Sequence, residues 1–559
     1  MLVCVLVFAF GGYFYSLCPD VYLIDSGELA AVSYTLGVAH PTGYPLYTLI
    51  SYFFTRLPGE PIRNLNLLSA IFSVVATAVV FLTAYKITKN QWTSALSAAL
   101  FAFSPTIWRT SVTNEVYPLT GLFTVTVIYL LHRCNNNRIF YLIMYLTGLA
   151  LTNHVIFFSL ALPVIVYMVL VHKPKPSMFL TGLIFLLMGL SLYFYVMART
   201  IGGAEVAWGN AYNLQRLFWH LTGKQYQVWM FTLSPGEIVG NLVKGLHFLA
   251  RDFLYVLIIP AILGFWVLYR QKKEIFWLLL AALVANLLYT INYSIPDIES
   301  YYIPSVAVLV IALVHGLHAL RRYMKPVIVL PIALAIPVIN YSHCTLRDNS
   351  FGMDFSRSHV EQLPDSSLFI TTHWDVYSPL VYLREVKGWR TDLTVIDKEL
   401  LRRTWYIKYL KREYPEFYHR VRSSIDAYLG ELYKFEYDRP YTAFVIQSRF
   451  VRMLERFVET RLEAGVFMAT PWPDRDLDAV KPGYRRVPFG LVHGISSDET
   501  PAVYDFSNLD LKKPPTVNDN RLKVNLDIVR TMLVNNINYL VAMGEKKEAE
   551  KARRLLKSF

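Results

Sequence analysis

Two carboxylates, Asp25 and Glu28, stand three residues apart in Asp25-Ser26-Gly27-Glu28, directly after the first apolar segment of the chain. The stretch His40-Pro41-Thr42-Gly43-Tyr44-Pro45 follows them. Acids at the lip of a membrane are costly, and that cost makes this pair the leading candidate for chemistry. A carboxylate in such a place can serve as general base toward a hydroxyl group. The same spacing fits a helix capping box, with residues 29–36 as the apolar stretch behind it and Gly37 as its stop. The two readings coexist, because a helix N-terminus fixes a carboxylate and favours negative charge.

Other residue groups carry weaker signals. The His40–Pro45 stretch forms a turn in any account, and the imidazole of His40 and the ring of Tyr44 could also contact a sugar or phosphate. Glu115-Val116-Tyr117 and Asn153-His154 fall on the same side of the membrane as Asp25, so Glu115, Tyr117 and His154 are candidate lining groups. Trp208, Arg216, Trp219, Lys224 and Tyr226 crowd one loop. Interfacial aromatics and cations anchor many membrane proteins, yet Arg216 and Lys224 also supply what a lipid phosphate needs, a forked donor and a point charge. Asp474-Arg475-Asp476-Leu477-Asp478 fits a solvated turn better than a metal site, since it lacks the glycine and closing glutamate of a calcium loop. No Walker A loop, HExxH or paired CxxC is present, and neither a metal nor a cofactor is expected.

The elements that must hold these residues are mostly apolar. Of 559 residues, 54% are hydrophobic and 17% charged, against about a quarter charged in soluble domains. Apolar runs lie near residues 1–18, 65–85, 93–108, 117–131, 139–152, 155–171, 178–198, 253–269, 275–292, 302–320 and 326–342. Several are shorter than the roughly 20 residues of an ideal span, and Asn153-His154 implies a turn between two of them. Lys86, Lys89, Arg133, Arg138, Lys173, Lys175, Arg270, Lys272, Lys273, Arg321, Arg322 and Lys325 fall in five short loops that contain one acid, Glu274. That asymmetry is the positive-inside signature. It favours about 11 spans, a cytoplasmic N-terminus and an outside C-terminus, and it explains much of the net charge of +13 without nucleic acid. The first segment has no small-residue cleavage site after it and is expected to stay as a span. Residues 44–57 are apolar but too short to span, as interfacial or re-entrant segments are.

The expected organisation is a membrane domain over 1–342, an extracytoplasmic α/β domain over 343–515 and a C-terminal helical hairpin over 516–559. β-rich runs at 368–372, 393–396, 443–446 and 466–469 alternate with helical patterns at 376–386, 400–413 and 450–463, which predicts a partly parallel sheet. Lys512-Lys513-Pro514-Pro515 has the composition of a linker. Residues 522–543 and 546–556 form a tetratricopeptide-like helix pair turning at Gly544, which needs a surface to dock on because one repeat cannot bury its own apolar face. Cys18 and Cys344 both lie near the outer face, and unpaired thiols are expected there.

Asp25-Ser-Gly-Glu28 with His40-Pro-Thr-Gly-Tyr-Pro-Leu46 closely resembles the first-loop signature of the transmembrane O-mannosyltransferase-like family, the transmembrane protein 260 type. The resemblance continues through Glu115-Val-Tyr117, Asn153-His154, residues 208–226, Trp374-Asp-Val-Tyr-Ser-Pro-Leu380, Arg390-Thr-Asp-Leu-Thr-Val395 and Trp405-Tyr-Ile-Lys408. It implies a GT-C-type glycosyltransferase: an integral membrane enzyme that uses a polyprenyl-phosphate sugar, with a protein or glycan acceptor and with Asp25 and Glu28 as the first-loop acids. Its expected location is a bacterial inner membrane, with the C-terminal domain outside the cytoplasm. A flippase or transporter for a lipid-linked glycan is the alternative, although no inverted repeat is visible among the spans. A third reading makes the bundle an anchor for an outside glycan-binding domain, a role for which 11 spans are excessive.

Overall fold

The computed structural model describes residues 1–134, 136–472, 484–496, 503–514 and 519–559. The Asp474–Asp478 run and Pro515 lie outside the described residues. The chain forms two compact units, residues 1–19, 32–205 and 211–347 in the first, and residues 20–31, 206–210 and 348–559 in the second.

Helices α1 (Leu2–Ser16), α2 (Ser26–Thr35), α3 (Pro45–Thr55), α4 (Pro61–Thr88), α5 (Gln91–Phe103), α6 (Pro105–Ser111), α7 (Tyr117–Leu131) and α8 (Asn137–Asn153) follow in order. They are succeeded by α9 (Phe158–His172), α10 (Pro176–Leu190), α11 (Phe194–Ile201), α12 (Leu214–Leu221), α13 (Pro235–Asp252), α14 (Ile258–Gln271), α15 (Lys273–Ile291), α16 (Ile303–Ala319) and α17 (Pro326–Cys344). Among the described residues, six helical stretches are both long and apolar enough to cross a membrane: Pro61–Thr88, Val155–His172, Pro176–Ile201, Lys273–Ile291, Ile298–Ala319 and Pro326–Cys344. Three shorter helices, α1, α7 and α14, are also strongly apolar. Stretch Ile298–Ala319 is the central one, 89% buried, whereas Pro326–Cys344 is 22% buried and turns Val327 and Val338 outward.

Lipid offers helices no hydrophobic drive to associate, so close backbone approach has to supply the contact. A Cβ on Gly264 of α14 would overlap the carbonyl oxygen of Ala312, and one on Gly316 of α16 would overlap that of Pro260. These two glycines let α14 and α16 cross at backbone contact. The chain turns between α8 and α9 at His154, which is extended at φ −156° and ψ 136°. None of the four cysteines forms a disulfide.

The second unit adds α18 (Phe351–Val360), β1 (Leu368–Thr371), α19 (Trp374–Glu385), β2 (Thr394–Asp397), α20 (Thr404–Glu413), α21 (Pro415–Glu436), α22 (Ala443–Arg461), β3 (Val466–Ala469), β4 (Arg485–Phe489), β5 (Val492–Ser496), α23 (Asn520–Ala542) and α24 (Lys546–Ser558). The sheet order is β2-β1-β3-β5-β4. Strands β2, β1 and β3 run parallel, with Phe369 opposite Val395 and Phe467, and β5 and β4 continue the sheet antiparallel. Every residue of β1, β2 and β3 is buried, as parallel strands covered on both faces must be. The expected strand at 443–446 is instead the start of α22. Its helical period continues into Phe450, Met453, Leu454, Phe457 and Val458, all buried, and that stripe overrides the β-branched opening. Helix α23 docks on the sheet end: Asn536 Nδ2 donates to Gly490 O at 2.8 Å, and Gly490 N–H donates to Asn536 Oδ1 at 3.1 Å.

Candidate active site

The first-loop acids belong to the second unit, where they meet the loops that follow the parallel strands. Strand β1 lies between β2 and β3, so the connection after β1 runs to one side of it and the connection after β2 crosses back to the other. A crevice at the carboxyl ends of strands flanking such a point is where open α/β sheets bind ligands. Trp374 comes three residues after β1, and Leu400 three after β2.

Leu29 N–H donates to Asp25 O at 2.8 Å, placing Asp25 at the cap position of α2. The Asp25 side chain is half-buried, and its Oδ1 accepts the indole N–H of Trp374 at 2.8 Å. One turn on, Glu28 N–H donates to Ser378 Oγ at 3.0 Å. Ser378 thus serves an amide that a capping box assigns to the side chain at the cap position. Gly27 lies against α19 so closely that a Cβ there would overlap the Ser378 carbonyl and stand 2.7 Å from Pro379 Cα. Before the helix, Ile24 adopts φ +64°, and its N–H donates to Asp375 Oδ1 at 2.8 Å. Both sequence motifs, Asp25–Glu28 and Trp374–Leu380, are therefore halves of one contact.

Glu28 is 1% exposed and lines a narrow cleft of about 20 Å³ whose other walls include Trp208, Trp374, Tyr377, Trp405, Tyr406 and Tyr409. Trp208 meets Trp405 at 4.5 Å and Trp374 at 5.6 Å between ring centroids. The hydroxyls of Tyr377 and Tyr406 are 2.9 Å apart, and burial pushes both phenols well above their usual range. Nearby, burial raises Asp397 at the end of β2 to about 7, although its Oδ1 accepts Leu400 N–H at 2.9 Å.

The first unit gathers four more candidates into a ring cluster. Tyr44 Oη is 2.8 Å from His40 Nε2, and the Tyr44 ring stacks on His154 at 5.5 Å with 9° between planes. Tyr117 and Tyr301 close on the same imidazole at 5.1 and 5.2 Å. Tyr117 Oη donates to Asp297 Oδ2 at 3.3 Å. His154 Nδ1 accepts Ile156 N–H at 3.1 Å, which leaves the ring proton on Nε2. Burial, with His40 adding a smaller effect, lowers His154 to about 3, so the ring is neutral. Asn153 Nδ2 donates to Val116 O at 3.0 Å and to Thr120 Oγ1 at 2.8 Å, tying the two polar pairs together. Gly43, at φ +92°, makes room for His220, whose Nε2 would be 2.9 Å from an added Cβ.

Glu115 N–H donates to Ser69 Oγ at 3.3 Å, and Tyr47 Oη donates to the neighbouring Asn114 Oδ1. Arg216 is 4% exposed and lies over the rings of Tyr212 and Trp219, at 5.4 and 5.8 Å. Lys224 Nζ shares the Trp219 ring at 4.1 Å. Asp297, Tyr301, Asp375, Tyr377 and Trp405 were not singled out from sequence as site residues. Asp297 and Tyr301 carry the signal that marked Asp25, an acid beside aromatics in a loop next to an apolar run.

Residues 25–178 match the family model described as Protein O-mannosyl-transferase TMEM260 N-terminal domain. The chain is 26% identical to the Protein O-mannosyl-transferase TMEM260 of Mus musculus, with 70% of this chain and 61% of that protein covered. It is 20% identical to the tmem260 protein of the same description in Dictyostelium discoideum, covering 69% and 56%. The alignments thus span about three-fifths of the length of these relatives. Among solved structures, ArnT from Cupriavidus metallidurans in the apo state gives a TM-score of 0.54 at 12% identity, covering 89% of this chain and 97% of that one. Its complex with undecaprenyl phosphate gives 0.51, also at 12% identity, covering 89% and 98%. That likeness is one of fold.

Proposed function

We propose that the chain is a TMEM260-type member of the GT-C proteins, a reading supported by the match over residues 25–178, the O-mannosyl-transferase relatives and the shared fold, and that it is an integral membrane glycosyltransferase. In this reading it moves a sugar, mannose or a similar pyranose, from a polyprenyl-phosphate donor to a hydroxyl of a protein or glycan acceptor. Transfer takes place on the extracytoplasmic side of a bacterial inner membrane crossed by about 11 spans. The observation that carries the reading is the acid pair on one helix turn, with Asp25 oriented by the Trp374 indole and Glu28 lining a ring-walled cleft.

Asp25 is the general base. It takes the proton of the acceptor hydroxyl as that oxygen bonds to the anomeric carbon, and the bond from that carbon to the phosphate oxygen breaks. The polyprenyl phosphate departs as an anion with the electron pair, so the leaving oxygen needs no proton and the configuration inverts. Nucleotide sugars would be on the wrong side of the membrane for these acids, which favours a lipid-linked donor. Arg216 and Lys224 are proposed to neutralise the phosphate charge. Glu28 orients the acceptor or the sugar, and the surrounding rings offer the flat faces on which a pyranose stacks. His40, Tyr44, Glu115, Tyr117 and His154 complete the substrate-binding set. The transfer is proposed to need neither metal nor cofactor, and loss under chelation with recovery on adding a divalent cation would contradict that.

Purified full-length protein, given a panel of polyprenyl-phosphate sugars and candidate acceptors, should transfer one sugar as read by mass spectrometry. Movement of the lipid-linked sugar across proteoliposomes with no transfer to any acceptor would overturn the reading.

A further inference from the structure

The C-terminal hairpin reaches the acid pair through one buried residue. Asp375 is fully buried, and a buried carboxylate requires hydrogen bonds and a compensating charge. Helix α23 supplies both: Arg521 Nε is 2.7 and 2.6 Å from the two Asp375 oxygens, and Asn525 Nδ2 donates to Oδ2 at 2.9 Å. Asn525 Oδ1 lies 2.6 Å from His373 Nε2, so the same side chain also fixes the residue before Trp374.

On its other side Asp375 holds the first loop. Its Oδ1 accepts the N–H of Ile24, the residue immediately before Asp25. Ile24 sits at φ +64°, a left-handed conformation that a β-branched residue keeps only where its surroundings impose it. Trp374, adjacent to Asp375 in the chain, gives Asp25 its indole hydrogen bond. A continuous chain of short contacts therefore runs from α23 to the proposed base, between segments some 500 residues apart in sequence (Asp25 and Arg521).

We infer that α23 belongs to the catalytic apparatus: Arg521, aided by Asn525, positions Asp25 and Glu28 through Asp375. The inference rests on Asp25 as the base. Arg521 is a positioning residue, since it touches Asp375 and acts on Asp25 through it. Lysine would preserve the charge but lose the Nε–H that lies between both oxygens.

The test uses the full-length protein with Arg521→Ala and Arg521→Lys. Met532→Ala, which removes a buried side chain from the same helix away from Asp375, controls for simple destabilisation of the hairpin. Because Arg521→Ala leaves a buried carboxylate uncompensated and can unfold the unit, Arg521→Lys decides if that variant is not recovered. Hydrogen exchange at residues 20–31 should quicken in the Arg521 variants and stay native in Met532→Ala, at matched melting temperature. In Arg521→Lys, kcat should fall about tenfold with donor KM unchanged, as expected for a displaced catalytic group. Native exchange at 20–31, equal quickening in Met532→Ala, or quickened exchange with unchanged kcat would each overturn the inference. Full transfer by Asp25→Asn would instead remove the base assignment, and the exchange measurement would still decide whether α23 holds the loop.

Discussion

The two residue clusters solve different physical problems. In the second unit, a pair of acids is held by groups from far along the chain: an indole N–H, a serine hydroxyl and, through Asp375, an arginine. In the first unit, His40, Tyr44, Tyr117, His154 and Tyr301 associate chiefly through ring faces and edges, and the central imidazole is neutral. The carboxylates are placed where a sheet and its loops converge donors and a compensating charge. The helical bundle gathers aromatic rings around one buried imidazole. The roles proposed above follow this contrast: proton transfer for the acid pair of the second unit, substrate binding for the rings of the first.

Asp25→Asn should show the largest effect on transfer. It keeps the shape and the capping ability of aspartate, so melting temperature should hold while the rate falls by about 10²–10⁴. Gly27→Ala should come next, since its Cβ would overlap the Ser378 carbonyl. Overpacking of that kind costs about 1–3 kcal/mol, and calorimetry should find lower stability together with impaired transfer. Glu28→Gln should cost less activity than Asp25→Asn, and a larger loss would exchange their roles.

Tyr117→Phe probes the other side of the comparison. It removes the hydroxyl that donates to Asp297, so stability should fall by about 1 kcal/mol, and, if the rings bind substrate as proposed, the KM for donor or acceptor should rise with kcat retained. A collapse of kcat as deep as that of Asp25→Asn would move the chemistry into the helical bundle. The last prediction leaves transfer aside and concerns stability against pH. Asp397 is raised by burial from the ordinary carboxylate range to about 7. The folded state therefore holds that proton more tightly than the unfolded chain, and stability from this group declines between roughly pH 4 and 7 and is flat above. Asp397→Asn should raise the melting temperature at pH 8 and leave it unchanged near pH 4.

Much of this was legible from the chain. Asp25 and Glu28 stood out because charge beside an apolar run is expensive, and the hairpin turn at Gly544 stood out because glycine ends a helical period there, at φ +82°. Strands β1, β2 and β3 were visible as short apolar runs. The partners of the acids were not visible as such: Trp374, Asp375 and Ser378 lie about 350 residues away, and no local pattern announces such a pairing. Strands β4 and β5 were missed because Arg485, Arg486 and Pro488 in the first, and His493 and Gly494 in the second, interrupt any apolar alternation. Residues 443–446 were misjudged because four residues cannot distinguish a strand from the first turn of a long helix.

The most direct test of Asp25 as the base compares two acceptors identical except for a hydroxyl or a thiol, above the pKa of the thiol. The thiolate needs no base. The prediction is that Asp25→Asn loses transfer to the hydroxyl by about 10²–10⁴ while transfer to the thiolate stays near that of the native protein. Equal loss with both acceptors, or full transfer to the hydroxyl, would contradict it.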